Sequence, residues 1–368
     1  MEFVNATNLD AGWTLGFERD GRELAVVAAK GTFIITGRED EPVWSESQVP
    51  LVQADEFSGE PGTSAPLCET DYAHRKPYCD VLVNGSAHAP QGHPTTRVTV
   101  GLHVGPVKKF FDVVGDRMWR SNAAFATPSE PVAFTRMPIS YERAYGGSDA
   151  DPEYPEKRKT FADNPIGVGY YPLSKGDYLD GKPLPNTCAK GRSTENPAVD
   201  QEPCSFGPLG RNFGARVKFA GTYDQAWLER QAPFWPDDFD YRYFQSAPPD
   251  QQMPYANGGE RVTLHNLAPE PVLSFLLPRK KVPVLFVPQR GEAQEVEAVI
   301  DTILVEPDRS RFMLTWRVAW PLRRNCFELK EIVTGGRSRS WHVARRAAAQ
   351  GKRYYRSLEE LARERRAR

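Results

Sequence analysis

Ten residues near the end of the chain limit its fold more than any other stretch. Between positions 311 and 320, Phe312, Leu314, Trp316, Val318 and Trp320 take every second place, and Arg311, Thr315 and Arg317 fall between them. A period of two sends alternate side chains to opposite faces of an extended chain, so this stretch reads as a long strand with an aromatic face for sheet packing. Glu306-Pro307-Asp308-Arg309 is turn chemistry, which makes residues 296–305 the other arm of a hairpin.

More strands follow from the same reading. Residues 97–104 alternate and are β-branched, giving a strand with one wet face. Residues 108–114 form the next, ended by the turn residues Gly115-Asp116. Residues 261–264, 272–277 and 282–287 are further candidates, and Pro283, which has no N–H for a ladder, places 282–287 at a sheet edge. The apolar runs 24–29 and 32–35 flank a hairpin-like break at Lys30-Gly31. Val81-Leu82-Val83 runs into Asn84-Gly85, the strongest short hairpin cue in the chain.

Helix signals are sparse. Residues 223–230 make one short helix capped by Thr222, and residues 357–366 make another, opened by the capping box Ser357-Leu358-Glu359-Glu360. Glycine and proline together account for 61 of 368 residues, which favours short elements joined by turns. The expected fold is therefore mainly β, with two packed β-sandwich-like lobes at 1–145 and 216–336. A turn-rich connecting or interface segment at 146–215, anchored by Tyr170, Tyr171 and Phe206, lies between them, and a basic helical tail at 337–368 follows.

Charge is uneven. Residues 337–368 hold eleven Lys/Arg and three Glu, a surplus of +8, while the whole chain sums to −1, leaving −9 for the first 336 residues. The longest apolar runs, such as 24–29 and 284–287, fall far short of the ~20 residues that span a bilayer. No basic stretch followed by an apolar one opens the chain. Five scattered cysteines without a C-x-x-C pair suit a reducing compartment. The expectation is a cytoplasmic protein with no membrane partner.

Asp71, His74, Cys79, Asp80, Ser86, His88 and His93 lie within 23 residues, which raises a hydrolase reading through Ser86/His88 or Cys79/His74. Nucleophilic catalysis needs a base in hydrogen-bond reach and a group to orient it. Here Gly85-Ser86-Ala87 lacks the G-x-S-x-G elbow, so a hydrogen-bonded tight loop is the better reading. His88 and His93, five apart, match neither a helical nor a strand pair of metal ligands. Gly167-Val168-Gly169 has no third glycine for a nucleotide loop, and tight backbone packing explains it better. No metal or cofactor is expected. The basic tail, with Tyr354-Tyr355, allows a nucleic-acid reading, which the acidic body disfavours.

Two aromatic and charged motifs read as surfaces for another protein, since aromatics and Arg are enriched at binding hot spots. Gly115-Asp116-Arg117-Met118-Trp119 and Trp235-Pro236-Asp237-Asp238-Phe239-Asp240 supply the candidates Asp116, Arg117, Trp119, Trp235, Asp237, Asp238 and Phe239. Tyr145 and Tyr170 join them, with Arg345 and Arg346 from the tail. The plainer alternative makes Trp119 and Trp235 core plugs and Asp116–Arg117 an internal ion pair.

These motifs belong to a longer ordered series. Lys30-Gly31-Thr32-Phe33 is followed by Thr70-Asp71-Tyr72-Ala73-His74-Arg75-Lys76-Pro77 and Cys79-Asp80-Val81-Leu82-Val83-Asn84-Gly85. Met137-Pro138-Ile139-Ser140-Tyr141-Glu142-Arg143-Ala144-Tyr145-Gly146-Gly147, Asn164-Pro165-Ile166-Gly167 and Phe244-Gln245-Ser246-Ala247-Pro248-Pro249 come later. In number and order, from Lys30 to Gln252, they resemble domain-of-unknown-function family 2169, found among type VI secretion accessory proteins. The resemblance implies a non-catalytic adaptor or chaperone. Its partner would be a toxic effector, or a PAAR-type tip or VgrG-type spike protein, and the family brings no catalytic residues. A hydrolase, a nucleic-acid binder and a structural component of the spike are the alternatives.

Overall fold

The computed structural model describes residues 1–37, 42–121, 125–192 and 196–336, with positions 343, 347, 350 and 351. The fold is mainly β. Its larger sheet runs in the order Glu2–Asn5, Leu329–Thr334, Val282–Pro288, Gln294–Glu306, Arg311–Pro321, Glu23–Ile34, Asp10–Phe17. Cys79–Val83 adds to it in parallel along the second half of Gln294–Glu306, and carries Gln252–Met253 in turn. The two strands at the ends of the order are consecutive in the chain, so the sheet curls almost closed. A second, antiparallel sheet has the order Thr187–Ala189, Val107–Val114, Arg97–Val104, Arg261–His265, Val272–Leu276. Both sheets combine strands from 1–145 with strands from 216–336.

The sheets face each other across one apolar core. Alternation in Arg311–Pro321 puts Phe312, Leu314 and Trp316 on this face, as their spacing implies. Phe312 stacks between Phe33 at 5.2 Å and Phe275 of the second sheet at 4.7 Å. Phe206 from the turn-rich segment plugs the same core against Phe111 at 4.5 Å. The hairpin turn at 306–309 is present, with Ser310 left-handed (φ 49°) at its exit. Among the described residues no helix is long and apolar enough to cross a membrane.

Several local expectations are corrected. Lys30-Gly31 is no break, because Glu23–Ile34 runs through it as one strand. Gly31 serves a close approach there: a Cβ would lie 2.7 Å from Leu9. Asn84-Gly85 makes no hairpin either. A two-residue type I′ turn needs positive φ at both centres, and neither residue has it; the chain instead leaves one sheet and pairs Gly85–His88 with Arg136–Ile139. Pro283 sits inside the sheet, between Leu329–Thr334 and Gln294–Glu306. Its carbonyl accepts from Gly335 N–H at 2.7 Å. The side that lacks a donor therefore faces the end of the neighbouring strand, just past Thr334, so the proline costs at most a terminal bond. The short helix is Gln225–Arg230, and Asp224, two residues after Thr222, caps it by accepting from Trp227 N–H at 2.8 Å. The expected tail helix at 357–366 lies outside the described residues.

In 146–215 the backbone is held by side chains instead of long ladders. Asn164, fully buried, donates from Nδ2 to the carbonyls of Tyr141 at 2.8 Å and Tyr145 at 2.9 Å. Gly167 has to be glycine, since a Cβ there would lie 2.5 Å from Ala144 O. Tight packing accounts for this Asn-Pro-x-Gly motif.

Candidate functional site

The outer face of the larger sheet is where the sequence and the structure part company. Positions that alternate with the core face include Lys30, Thr32, Asp80, Thr302, Thr315 and Arg317, and residues 45–78 and 239–253 cover them. Lys30, Asp71, Lys76, Asp80, Asp301 and Arg317 are all buried. Burying an ion is costly unless it is paired and hydrogen-bonded, and here three cations meet three carboxylates. Lys30 Nζ donates to Asp71 at 2.8 Å, Lys76 Nζ to Asp80 at 2.7 Å, and Arg317 Nη1 to Asp301 at 2.5 Å.

The remaining lone pairs are also used. Asp71 accepts from Val52 N–H at 2.8 Å and Thr315 Oγ1 at 2.9 Å. Asp80 accepts from Gln245 Nε2, Ser246 N–H and Ser246 Oγ. A β-bulge in Gln294–Glu306 lies at Asp301, where the register shifts between Ile300 and Thr302. Burial pushes the Asp301 carboxyl up despite the nearby Arg317 and Lys76. Gln48 completes the cover by bonding the backbone of Thr32 at both N–H and C=O, as a neighbouring strand would.

Beside this layer opens a cavity of about 1080 Å³. Leu304 and Met313 of the outer face form its floor, with Lys30 at the deep end. One wall is the loop bearing Leu51, Val52 and Leu67; the other is Gly85–His88 with its partner strand, carrying Ile139. Its charged rim is fixed in place. Asp308 accepts from Arg136 at 2.7 Å, Ser86 Oγ at 2.8 Å and His88 Nε2 at 3.2 Å. Burial raises the Asp308 carboxyl, but these donors outweigh it and hold it below the ordinary value. Glu306 holds Arg309 and Arg311, and Glu142 bridges to the opposite wall through Ser58 Oγ and Ala65 N–H.

The expected residues scatter across this architecture. Trp119, Tyr145 and Phe239 are buried plugs, and Arg117 is buried as well. Asp116 is exposed and takes Arg143 at 3.5 Å and Asn186 Nδ2 at 2.9 Å, so Arg117 is not its ion-pair partner. Tyr170 packs half-buried against Phe161, and Tyr145 donates to Asp200 at 2.9 Å. Trp235 is half-buried on Phe239 at 4.4 Å and donates to Phe17 O. Asp237 and Asp238 are exposed, Asp238 tying down Thr222. Arg345 and Arg346 lie outside the described residues.

Ser86 and His88 both turn to the carboxylate of Asp308, so the serine hydroxyl is spent on an acid and not offered to the imidazole. Cys79 is fully buried on the core face, its thiol pushed well up by burial. His74 lies on the opposite side between Trp235 and Phe244, its pKa lowered by burial. Cys68, at the groove floor, is pushed up to about 12 by burial and Glu56; a thiol so raised is a poor nucleophile. Among the described residues no three His, Cys, Asp or Glu side chains are arranged to hold a metal ion.

What these elements define is a mainly β protein with a layer of paired charges and a broad groove behind its larger sheet. The chain belongs to the family described as uncharacterized protein conserved in bacteria, DUF2169, whose model matches residues 20–317. That span holds every charged residue of the buried layer and of the groove rim. No curated protein and no solved structure matches the chain.

Proposed function

We propose that the protein is a non-catalytic type VI secretion adaptor or chaperone that holds a segment of a toxic effector, or of its PAAR-type or VgrG-type carrier, in the groove. The groove itself carries this reading. At about 1080 Å³ it lies just above the roughly 300–1,000 Å³ that suits small ligands, and its floor and walls mix Leu51, Leu67, Ile139 and Met313 with charges of both signs. That is the mixed surface of a reversible protein interface. The rim charges are already paired, so little ordering remains to be done when a partner arrives. The shared Asp308 contact of Ser86 and His88 favours this reading over a hydrolase.

Capture of the tagged protein from its host, with mass spectrometry, tests the proposal. An effector, PAAR or VgrG protein should come along with the native chain and be lost with Leu67→Asp, which places a charge on an exposed apolar wall residue. Turnover of a small substrate by the purified protein, abolished by Ser86→Ala, His88→Ala, Cys79→Ala or His74→Ala, would sink the adaptor reading.

A further inference from the structure

Three arginines are buried among the described residues, and two of them have carboxylates. Arg216 forks onto Glu69, and Arg317 reaches Asp301 through Nη1 alone. Arg117 is only 7% exposed, yet among the described residues it has no ion pair. Its guanidinium makes one hydrogen bond there, from Nη2 to Pro185 O at 3.0 Å, and Nε is buried with no partner. A guanidinium carries five N–H donors and does not give up its proton, so one carbonyl leaves a desolvated cation largely unanswered.

The same residue lines a cavity of about 610 Å³ with Arg120, Arg143 and Asn186. Asp116 and Glu130 also line it, but Asp116 is engaged by Arg143 and Asn186. Glu142 and Arg143 belong both to this cavity and to the large groove, so the two share a wall.

We propose that Arg117 anchors a carboxylate-binding pocket, occupied by an acidic side chain of the partner polypeptide. A guanidinium fork matches the two oxygens of a carboxylate. The lining has three arginines and three acids, a formal balance of zero, so a single carboxylate leaves a smaller negative excess beside Arg117 than a dianionic phosphate would. The pocket stands on Arg117 alone; only the source of the carboxylate rests on the groove reading, through the shared wall.

The test is a titration of the full chain, labelled with ¹⁵N, reading the arginine Nε–H signal that is lost in Arg117→Lys. N-acetylglutamate amide should move that signal, and N-acetylglutamine amide, which has the same shape without the charge, should not. Arg117→Lys, read at neighbouring backbone signals, should weaken binding about tenfold, because it keeps the charge and loses the fork. The pocket is overturned if the acid moves nothing, if the glutamine compound moves the same signals, or if Arg117→Lys binds as tightly. Tighter binding of inorganic phosphate would overturn the carboxylate assignment, and equal or tighter binding of free acetate the polypeptide source. The comparison of the two amides uses the native chain, so it stands whether or not the lysine variant folds. Leu67→Asp, which abolishes partner capture, should leave this titration unchanged, which separates failure of the pocket from failure of the adaptor reading.

Discussion

The middle of the larger sheet is buried on both faces, and the two are built on different principles. Toward the second sheet, Phe312, Leu314 and Trp316 fill space with apolar side chains. On the opposite face of the same strand, Thr315 meets Asp71 from a distant part of the chain and Arg317 meets Asp301 of the adjacent hairpin arm. The apolar face is tolerant in kind, since neighbours relax around a lost methyl group. The charged face is not, because removing one partner strands the other in a poor solvent. Burial alone therefore says little about how a face responds to change.

The sharpest way to break that contrast is Arg317→Met, which keeps the bulk and leaves Asp301 alone. Urea denaturation should show a loss of about 3–5 kcal/mol, and adding Asp301→Leu should recover much of it. A loss no larger than that of a surface pair would mean the outer layer is wet. Leu314→Ala, on the apolar face, should lose about 2–5 kcal/mol in the same assay, with no recovery from any charge change.

Two aspartates sharpen the comparison through pH. Asp308 has a lowered pKa in the fold, so its contribution is present above the unfolded value of about 3.9 and disappears as pH falls through the folded one. Asp308→Asn should lose about 1–3 kcal/mol at neutral pH, and the gap from the native chain should close in acid. Asp301 has a raised pKa, and its sign is opposite: its protonation favours the fold, and that contribution is lost as pH rises through the folded value. Stability against pH in Asp301→Asn should show the complementary change. The smallest effect belongs to Lys281–Glu297, an exposed pair at 3.1 Å. Lys281→Ala should change stability by less than about 0.5 kcal/mol.

Strand positions were legible because alternation is local, and the long strand ending in Trp320 and the hairpin before it are where their spacing puts them. The solvent side was not legible. Thr315 and Arg317 read as the polar face of an amphipathic strand, and nothing nearby tells that residues 45–78 fold back over them. The groove was hidden for the same reason, since its rim joins Ser86, Arg136, Glu142 and Asp308 from separate stretches of chain. Asp308 looked like turn chemistry alone. The one usable signal was Ser86 and His88, two apart on one strand face, which predicts a common partner. Arg117 was visible in its motif, but its missing counter-charge is a property of the packing.

The parallel pairing of Glu2–Asn5 with Leu329–Thr334 has a consequence for biosynthesis. Among the described residues Glu2–Asn5 finds its ladder neighbour about 330 residues later in the chain. Until then its edge is open, and closing so long a loop is slow compared with forming a local hairpin. Completion of this sheet thus waits for synthesis through Thr334, and Glu2–Asn5 stays unpaired until then.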